Sequence, residues 1–464
     1  MLIPKIGLEI HTEVKTKSKM FCSCPNTFET QPNRFICPVC TGQPGALPTI
    51  NKQAVFLTLK LGLALGGKIN YKTYFVRKNY YYPDLPKNYQ ISQYELPFVE
   101  GGVVKFFLDG KETEVFLKRI HLEEDAGRLI HFGDFSLIDF NRAGAPLIEI
   151  VTLPCLKTSE QAKMFAQELI LILRYLNISE ANPEKGQIRF EANISVGPND
   201  ELGTRVEVKN LNSLKSLKEA IDYEIERQVN LIKKGEKVVQ ETRGWDEVKR
   251  ITFVQREKEE AQDYRYFPEP DLVPLDLTGL ELEREKLPFD LRKELIEEYG
   301  LSYKESEILI WEPWALDLFK KTASFFKKNS EAVKQIFNYL TTDIFSLYQT
   351  YKENKITPED FKTLVDLNLK GKISSRIFKE ILQKIFKGEK LNELLNIYQK
   401  ITDPQEIEKI LKDVIKENQS AVQDYKKGKI NSFEFIIGQA MKMTSGKIDP
   451  NLARKVLKDL LDNL

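Results

Sequence analysis

At 464 residues, with 69 basic and 68 acidic side chains and a formal net charge of +1, the chain is too long for one ordinary core and predicts two to four domains. The near balance of charge argues against a uniformly basic nucleic-acid binder, so any such contact has to come from local patches. No basic segment followed by an apolar run opens the chain, and no stretch is apolar enough to span a bilayer, so a cytoplasmic protein without signal peptide or membrane span is expected.

In chain order, Ile6, Leu8, Ile10 and Val14 alternate with Gly7, Glu9, His11 and Glu13, the period of a half-buried strand. That period puts Glu9, His11 and Glu13 on one face, away from the apolar side chains. Cys22, Cys24, Cys37 and Cys40 follow as C-x-C-x12-C-x2-C, while Cys155 stands alone. Two close pairs in a chain without a secretory signal read as a tetrahedral zinc site, with two disulfides or free thiols as the alternatives. Such a site closes a long loop that cannot build a core of its own.

Asn51 to Leu65 reads as an apolar helix. Gly62, Gly67 and Lys68 imitate a phosphate-binding loop, but Ile69 stands where Ser or Thr would bind magnesium, and the glycines continue a helical pattern. We reject that motif; Gly66 and Gly67 end the helix instead. Arg77 to Asp84 packs two cations beside three tyrosines, a group able to stack on a base. A rigid surface loop is the favoured local reading.

Arg119-Ile120-His121-Leu122-Glu123 alternates again and runs into Glu124-Asp125-Ala126-Gly127, where adjacent acids repel unless a cation relieves them. Phe135–Phe140 and Pro146–Thr152 predict further strands, and Glu149 is a costly carboxylate in the second unless paired or metal-bound. Thr158 and Gln161 have capping-box spacing before a helix through Leu176. Strands are expected at Gln187–Ser195 and Thr204–Asn210, then a long helix from Leu214 to Ile232 capped by Asn212 or Ser213.

Runs of strands with a few covering helices predict an α+β domain around a largely antiparallel sheet. Glu9, His11, Glu149, Arg189, Glu191, Asn193 and Lys209 form the mixture needed to hold Mg²⁺ and phosphate oxygens, though a merely solvated face would show the same residue types. The proline- and aromatic-rich stretch from Asp263 to Pro274 is expected to close this domain. From about Pro288 the chain turns to short helices, and a break near Thr402-Asp403-Pro404 introduces a terminal unit. There Phe433, Ile436, Ile437, Ala440 and Met441 form one helical stripe, and Leu452, Val456, Leu457, Leu460 and Leu461 another. Lys426, Lys427, Lys429, Lys442 and Lys447 lie outside the stripes, where they either follow an RNA backbone or are only solvated. The expected boundaries are 1–290, 291–403 and 404–464.

The stretches IGLEIHTEVKTKSKMF, CPVCTGQPGALP, RKNYYYPDLPKNYQISQYE, HLEEDAG, DFNRAGAPLIEIV, RFEANISV, EVKNLNS, DYRYFPEPDL and GQAMKMTSGKIDP occur in this order. By them the chain resembles, from end to end, the GatB family, which forms the B subunit of the bacterial aspartyl/glutamyl-tRNA amidotransferase. The resemblance implies a cradle-like α+β domain (1–290), an all-α helical domain (291–403) and a small helical YqeY-like tail (404–464) that grips tRNA. It also implies an ATP-dependent ligase activity. The side-chain carboxylate of Glu-tRNA(Gln) or Asp-tRNA(Asn) would be phosphorylated, then amidated with ammonia channelled from a glutaminase.

Carried over by position, the Mg²⁺ ligands would be His11, Glu124 and Glu149, with Glu9 close by in the catalytic set. Lys78, Arg142, Arg189 and Lys209 would contact ATP phosphates. Cys22, Cys24, Cys37 and Cys40 match the family's zinc-binding version. No Gly/Ser-rich amidase signature occurs, and Cys155 has no histidine near it in sequence. The implied partners are therefore the amidase (glutaminase) subunit and the small third subunit of the same amidotransferase, the misacylated tRNA, and the non-discriminating aminoacyl-tRNA synthetase. The competing reading is a non-catalytic tRNA-binding scaffold that positions an active partner.

Overall fold

The alternation that opens the chain folds as strand β1 (Leu2–Glu13) in the middle of a ten-stranded sheet. The computed structural model describes residues 1–27, 31–257, 264–326, 329–398, 401, 403–444 and 446–462; Asp263 and Thr402, at two of the expected breaks, lie outside them. The other long strands are β2 (Lys111–Glu124), β3 (Pro146–Thr152), β4 (Ile188–Pro198), β5 (Val206–Leu211), β6 (Glu241–Asp246) and β7 (Ile251–Glu257). Their order across the sheet is β7-β6-β5-β4-β1-β3-β2, continued by the short strands Val99–Glu100 and Lys68–Ile69, with Val103–Leu108 paired to β2 outside that row. Neighbours run antiparallel except β5 and β6, which are parallel.

One face of the sheet is apolar and fully covered. Ile6, Leu8 and Ile10 of β1 join Ile120 and Leu122 of β2, Ile148 and Ile150 of β3, and Phe190, Ala192 and Ile194 of β4 in one buried cluster. Helices α1 (Lys52–Ala64), α2 (Ser159–Tyr175) and α3 (Leu214–Lys233) supply its other half, including Leu59, Phe165, Leu169, Leu217 and Ile221. Each Leu, Ile or Phe among them contributes roughly 1.5–3 kcal/mol on burial. A one-residue slip of β1 would exchange Ile10 for His11 in that cluster, so the register is strongly fixed.

The helix ends follow local chemistry. Asn51 caps α1 by accepting from the Gln53 and Ala54 amides, Thr158 caps α2 through the Gln161 amide, and Ser213 caps α3 through the Ser216 amide. Gly62 lies inside α1, where a methyl group would meet a Val99 methyl at 2.3 Å. Close helix–strand packing therefore explains the imitation phosphate loop. Phe135–Asp139 does form a strand, but it pairs only with Arg128–Phe132 in a hairpin outside the main sheet. The proline-rich segment contributes two short strands, Phe267–Pro268 on Val76–Arg77 and Leu275–Asp276 on Lys72–Thr73.

The chain separates into two compact units, Met1–Lys293 and Glu294–Leu464. The second is helical throughout its described elements. At its end, helices Pro404–Glu417, Gln419–Lys426, Asn431–Met443 and Pro450–Asp462 enclose their own apolar cluster, with Ile436, Ile437, Ala440, Leu457 and Leu461 buried.

Candidate active site

The sheet face opposite the core carries a row of polar side chains set by strand pairing. His11 lies opposite Arg189 of β4 on one side and Glu149 of β3 on the other, and Glu149 lies opposite His121 of β2. The Nε2 atoms of His11 and His121 sit 3.4 and 3.3 Å from one Glu149 oxygen, Oε2. Glu123 reaches both rings, 3.8 Å from His11 Nε2 and 3.7 Å from His121 Nε2, and Arg119 stands 3.8 Å from Glu149 Oε1. Ligand atoms of His11, Glu123 and Glu149 all lie within 4.8 Å of one another. One imidazole and two carboxylates suit a hard divalent cation that retains several waters.

The electrostatics match that donor set. Burial alone would discharge His11, but its hydrogen bond to Glu149 and the surrounding carboxylates lift it to about 9. Burial would raise Glu149, yet the charges of His121 and His11 hold it well below the usual carboxylate range. Glu123 is likewise held down, by His121 against its own burial. His11, Lys78 and Arg119 thus all place positive charge beside these carboxylates.

Glu124, which the resemblance implies as a ligand, does not lie in this group. The two-residue period of β2 puts Glu123 with His121 on the polar face and turns Glu124 the other way. There Glu124 Oε1 accepts from the Ile91 amide at 2.9 Å and from the Lys87 ammonium. Glu123 is the carboxylate of this adjacent pair that lies with His11 and Glu149. Glu9, one repeat along β1, joins a separate group with Glu191 and Glu207, all within 4.8 Å. Lys209 lies 2.8 Å from Glu191 in that group, and Asn193 donates to Glu9 at 2.9 Å.

The other expected phosphate contacts divide between neighbourhoods. Lys78 belongs to the central group: burial opposes its charge, but Glu123 and Glu149 keep the ammonium protonated, and it stands 5.0 Å from the Tyr264 ring. Arg189 and Arg142 share Asp125, whose Oδ2 is 2.9 and 3.5 Å away, and Arg142 also donates to the Ala126 and Gly127 carbonyls. The three adjacent acids at the end of β2 therefore each find cationic partners of their own. This relieves the repulsion expected of them.

Residues 4–283 match the family pattern described as the GatB/GatE catalytic domain, and residues 317–461 match the GatB domain. Among curated relatives, the B subunit of the aspartyl/glutamyl-tRNA(Asn/Gln) amidotransferase of Carboxydothermus hydrogenoformans is 41% identical over 99% of this chain and 98% of its own length. Proteins of the same name from Thermotoga maritima and Persephonella marina are 42% and 40% identical, each alignment covering 99% of both chains. The chain belongs to the GatB family.

Two further features of this GatB-family chain bear on its chemistry. The first is aromatic: Tyr94 and Tyr266 stack with centroids 4.4 Å apart, and Tyr264 packs edge-on to both Tyr80 and Tyr266. Of the three tyrosines following Asn79, Tyr80 is drawn toward the site while Tyr81 and Tyr82 are 84% and 60% exposed. The second is the cysteine cluster, whose sulfur donors all lie within 4.8 Å of one another, a set that fits tetrahedral Zn²⁺. The hydrogen bond with Cys22 draws Cys40 down to about 5 and pushes Cys22 up. Glu123, His121 and the Tyr94–Tyr264–Tyr266 group lie at this polar face without having been expected there. The alternation of β2 contained the signal for the first two, but nothing local marked the aromatic group.

Proposed function

We propose that this chain is the carboxylate-activating subunit of a tRNA-dependent amidotransferase. It takes ATP and Glu-tRNA(Gln) or Asp-tRNA(Asn), phosphorylates the side-chain carboxylate, and completes the amide with ammonia from a glutaminase partner. The observation that carries this reading is the His11–Glu123–Glu149 donor set beside the Lys78 ammonium, within the segment matching a catalytic-domain family.

The chemistry demands such a set. A carboxylate and a triphosphate repel, and a carboxylate oxygen is a poor leaving group until it bears a phosphoryl group. Mg²⁺ held by His11, Glu123 and Glu149 would neutralise charge on the transferring phosphate. Lys78, kept charged by the same carboxylates, offers a positive centre for the phosphoryl oxygens. Arg142 and Arg189, paired through Asp125, provide further cations one strand away.

In this reading Zn²⁺ occupies the four-cysteine clasp as a structural ion. The partners are the amidase subunit, the small third subunit and the misacylated tRNA, in the cytoplasm. The exposed Lys426, Lys427 and Lys442 support a tRNA-gripping tail. Ammonia has to reach the polar face without meeting bulk water, because protonated ammonia is not a nucleophile.

The test uses the reconstituted complex, with ammonium as nitrogen donor and ADP release driven by misacylated tRNA as readout. Glu123→Gln is expected to lower that rate at least about 100-fold, because one oxygen ligand and one charge are lost. Glu124→Gln leaves the Lys87 charge buried and unpaired, so it is expected to lower Tm while the remaining folded enzyme keeps its turnover. An unaffected Glu123→Gln enzyme would remove the assigned metal site. Absence of ADP release driven by misacylated tRNA would favour the scaffold reading.

A further inference from the structure

Lys19 is completely buried, at 0% exposure. A buried ammonium costs several kcal/mol unless a counter-charge and hydrogen bonds offset it. Its Nζ donates to the Phe35 carbonyl at 2.9 Å and the Phe140 carbonyl at 3.3 Å, and lies 3.6 Å from Cys40 Sγ. These are its partners among the described residues; the Glu124 carboxylate, near the same glycine, Gly144, is engaged by Lys87 and forms no ion pair with Lys19. Two carbonyl dipoles and one sulfur do not neutralise a full positive charge. A divalent ion bound by four thiolates does, because that group carries a net charge of about −2.

The contact to Phe140 connects the clasp to the polar face. Phe140 opens the turn through Asn141, Arg142, Ala143 and Gly144 into β3. Gly144 has a φ of +85°, and a methyl there would meet the Cys40 Cβ at 3.3 Å. Its carbonyl accepts from the Met20 amide at 2.7 Å, and its own amide donates to the Asp125 carbonyl at 2.9 Å. The Asp125 amide in turn donates to the Ala145 carbonyl at 2.8 Å. One side of this turn is thus bonded to the cysteine loop and the other to Asp125, which holds Arg142 and Arg189.

We propose that Lys19 is the outer-sphere counter-cation of the four-cysteine zinc clasp and the positioning residue through which bound zinc fixes the Phe140–Ala145 turn beside the active site. This inference rests on the zinc reading above. It goes beyond a structural clasp by assigning a charge partner and a route to Arg142.

The experiment uses the full chain in its complex. Zinc content is measured first, and zinc affinity is then measured by competition with a colorimetric chelator for wild type, Lys19→Gln and Lys17→Gln. Glutamine keeps an N–H donor for the carbonyls but removes the charge, and Lys17 is an exposed control. Lys19→Gln is expected to bind zinc about 10–100-fold more weakly, with Lys17→Gln unchanged. Equal affinity in all three would overturn the proposal while leaving the zinc reading intact. Absence of zinc from protein purified without chelators would refute that reading itself.

A second measurement needs no variant, in case Lys19→Gln does not fold. Hydrogen exchange in wild type should show the Asp125, Gly144 and Ala145 amides exchanging faster after zinc removal, with the Ile10 amide unchanged. Identical protection at those amides with and without zinc would sever the proposed link to the turn.

Discussion

Glu13 shows how the polar face handles charge that no cation fully relieves. It follows His11 on the same side of β1, and burial, reinforced by the negative charge of Asp125, pushes its carboxyl up to about 7 against the opposing pull of Arg142 and Arg189. A carboxyl whose folded pKa is raised above its unfolded value near 4.5 binds its proton more tightly when folded. Its contribution to stability is therefore most favourable below pH 4.5 and is lost as pH rises toward 7. Glu13→Gln mimics the protonated form, so the variant should exceed wild type in stability by on the order of 2 kcal/mol at pH 8 and by much less at pH 5. Urea unfolding at the two pH values measures this, and a pH-independent difference would contradict it. The other members of the face were legible to different depths. His11 stood out on the polar phase of β1, and Glu149 because it is a carboxylate in an otherwise apolar strand. Glu123 and Glu124 are adjacent in a run of acids, so only the phase of β2 separates the one facing the imidazoles from the one facing Lys87. Tyr264 and Tyr266 approach Lys78 from some 180 positions away in sequence, a proximity that no local pattern encodes.

At the level of elements, the strands presenting the site were readable because each shows a period of two with one apolar face. The helices around them were readable because Asn51, Thr158 and Ser213 are side chains that cap well. The hairpin Arg128–Asp139 was only half readable: the Phe135 strand was expected, but its exclusion from the sheet follows from the turn at Ala126-Gly127, whose packing depends on Asp84 and Phe140. The Phe140–Ala145 turn is the least legible element and among the most constrained. Gly144→Ala combines left-handed strain with a methyl pressed against Cys40, whereas Gly45→Ala, at φ +83°, carries the strain with nothing within 4 Å. Strain alone is worth about 1–2 kcal/mol and overpacking typically adds about 1–3 kcal/mol. Gly144→Ala should therefore lower Tm by several degrees more than Gly45→Ala, read by calorimetry on zinc-loaded protein. Equal shifts would mean that the turn has room to move away from the cysteine loop.

For the whole molecule, a net charge of +1 leaves no general attraction for nucleic acid, so any grip on tRNA has to be local and short-ranged under physiological salt. The terminal helices offer such a place. Their apolar side chains close on one another, which leaves Lys426, Lys427 and Lys442 exposed, while Lys429 is engaged by Asp424 at 3.1 Å. Three lysines that each displace a counterion contribute to the salt dependence of binding, not only to affinity. The triple variant Lys426→Glu, Lys427→Glu, Lys442→Glu changes no residue of the buried cluster and none of the polar sheet face. In the reconstituted complex it should raise KM for misacylated tRNA at least about tenfold and reduce the slope of log affinity against log salt by about 2–3. Turnover at saturating tRNA should remain near wild type, because the groups proposed to activate the carboxylate lie in the other unit. A fall in turnover with KM unchanged would mean that these helices act on the chemistry and not on capture. No change in either would place the tRNA contact on a different surface.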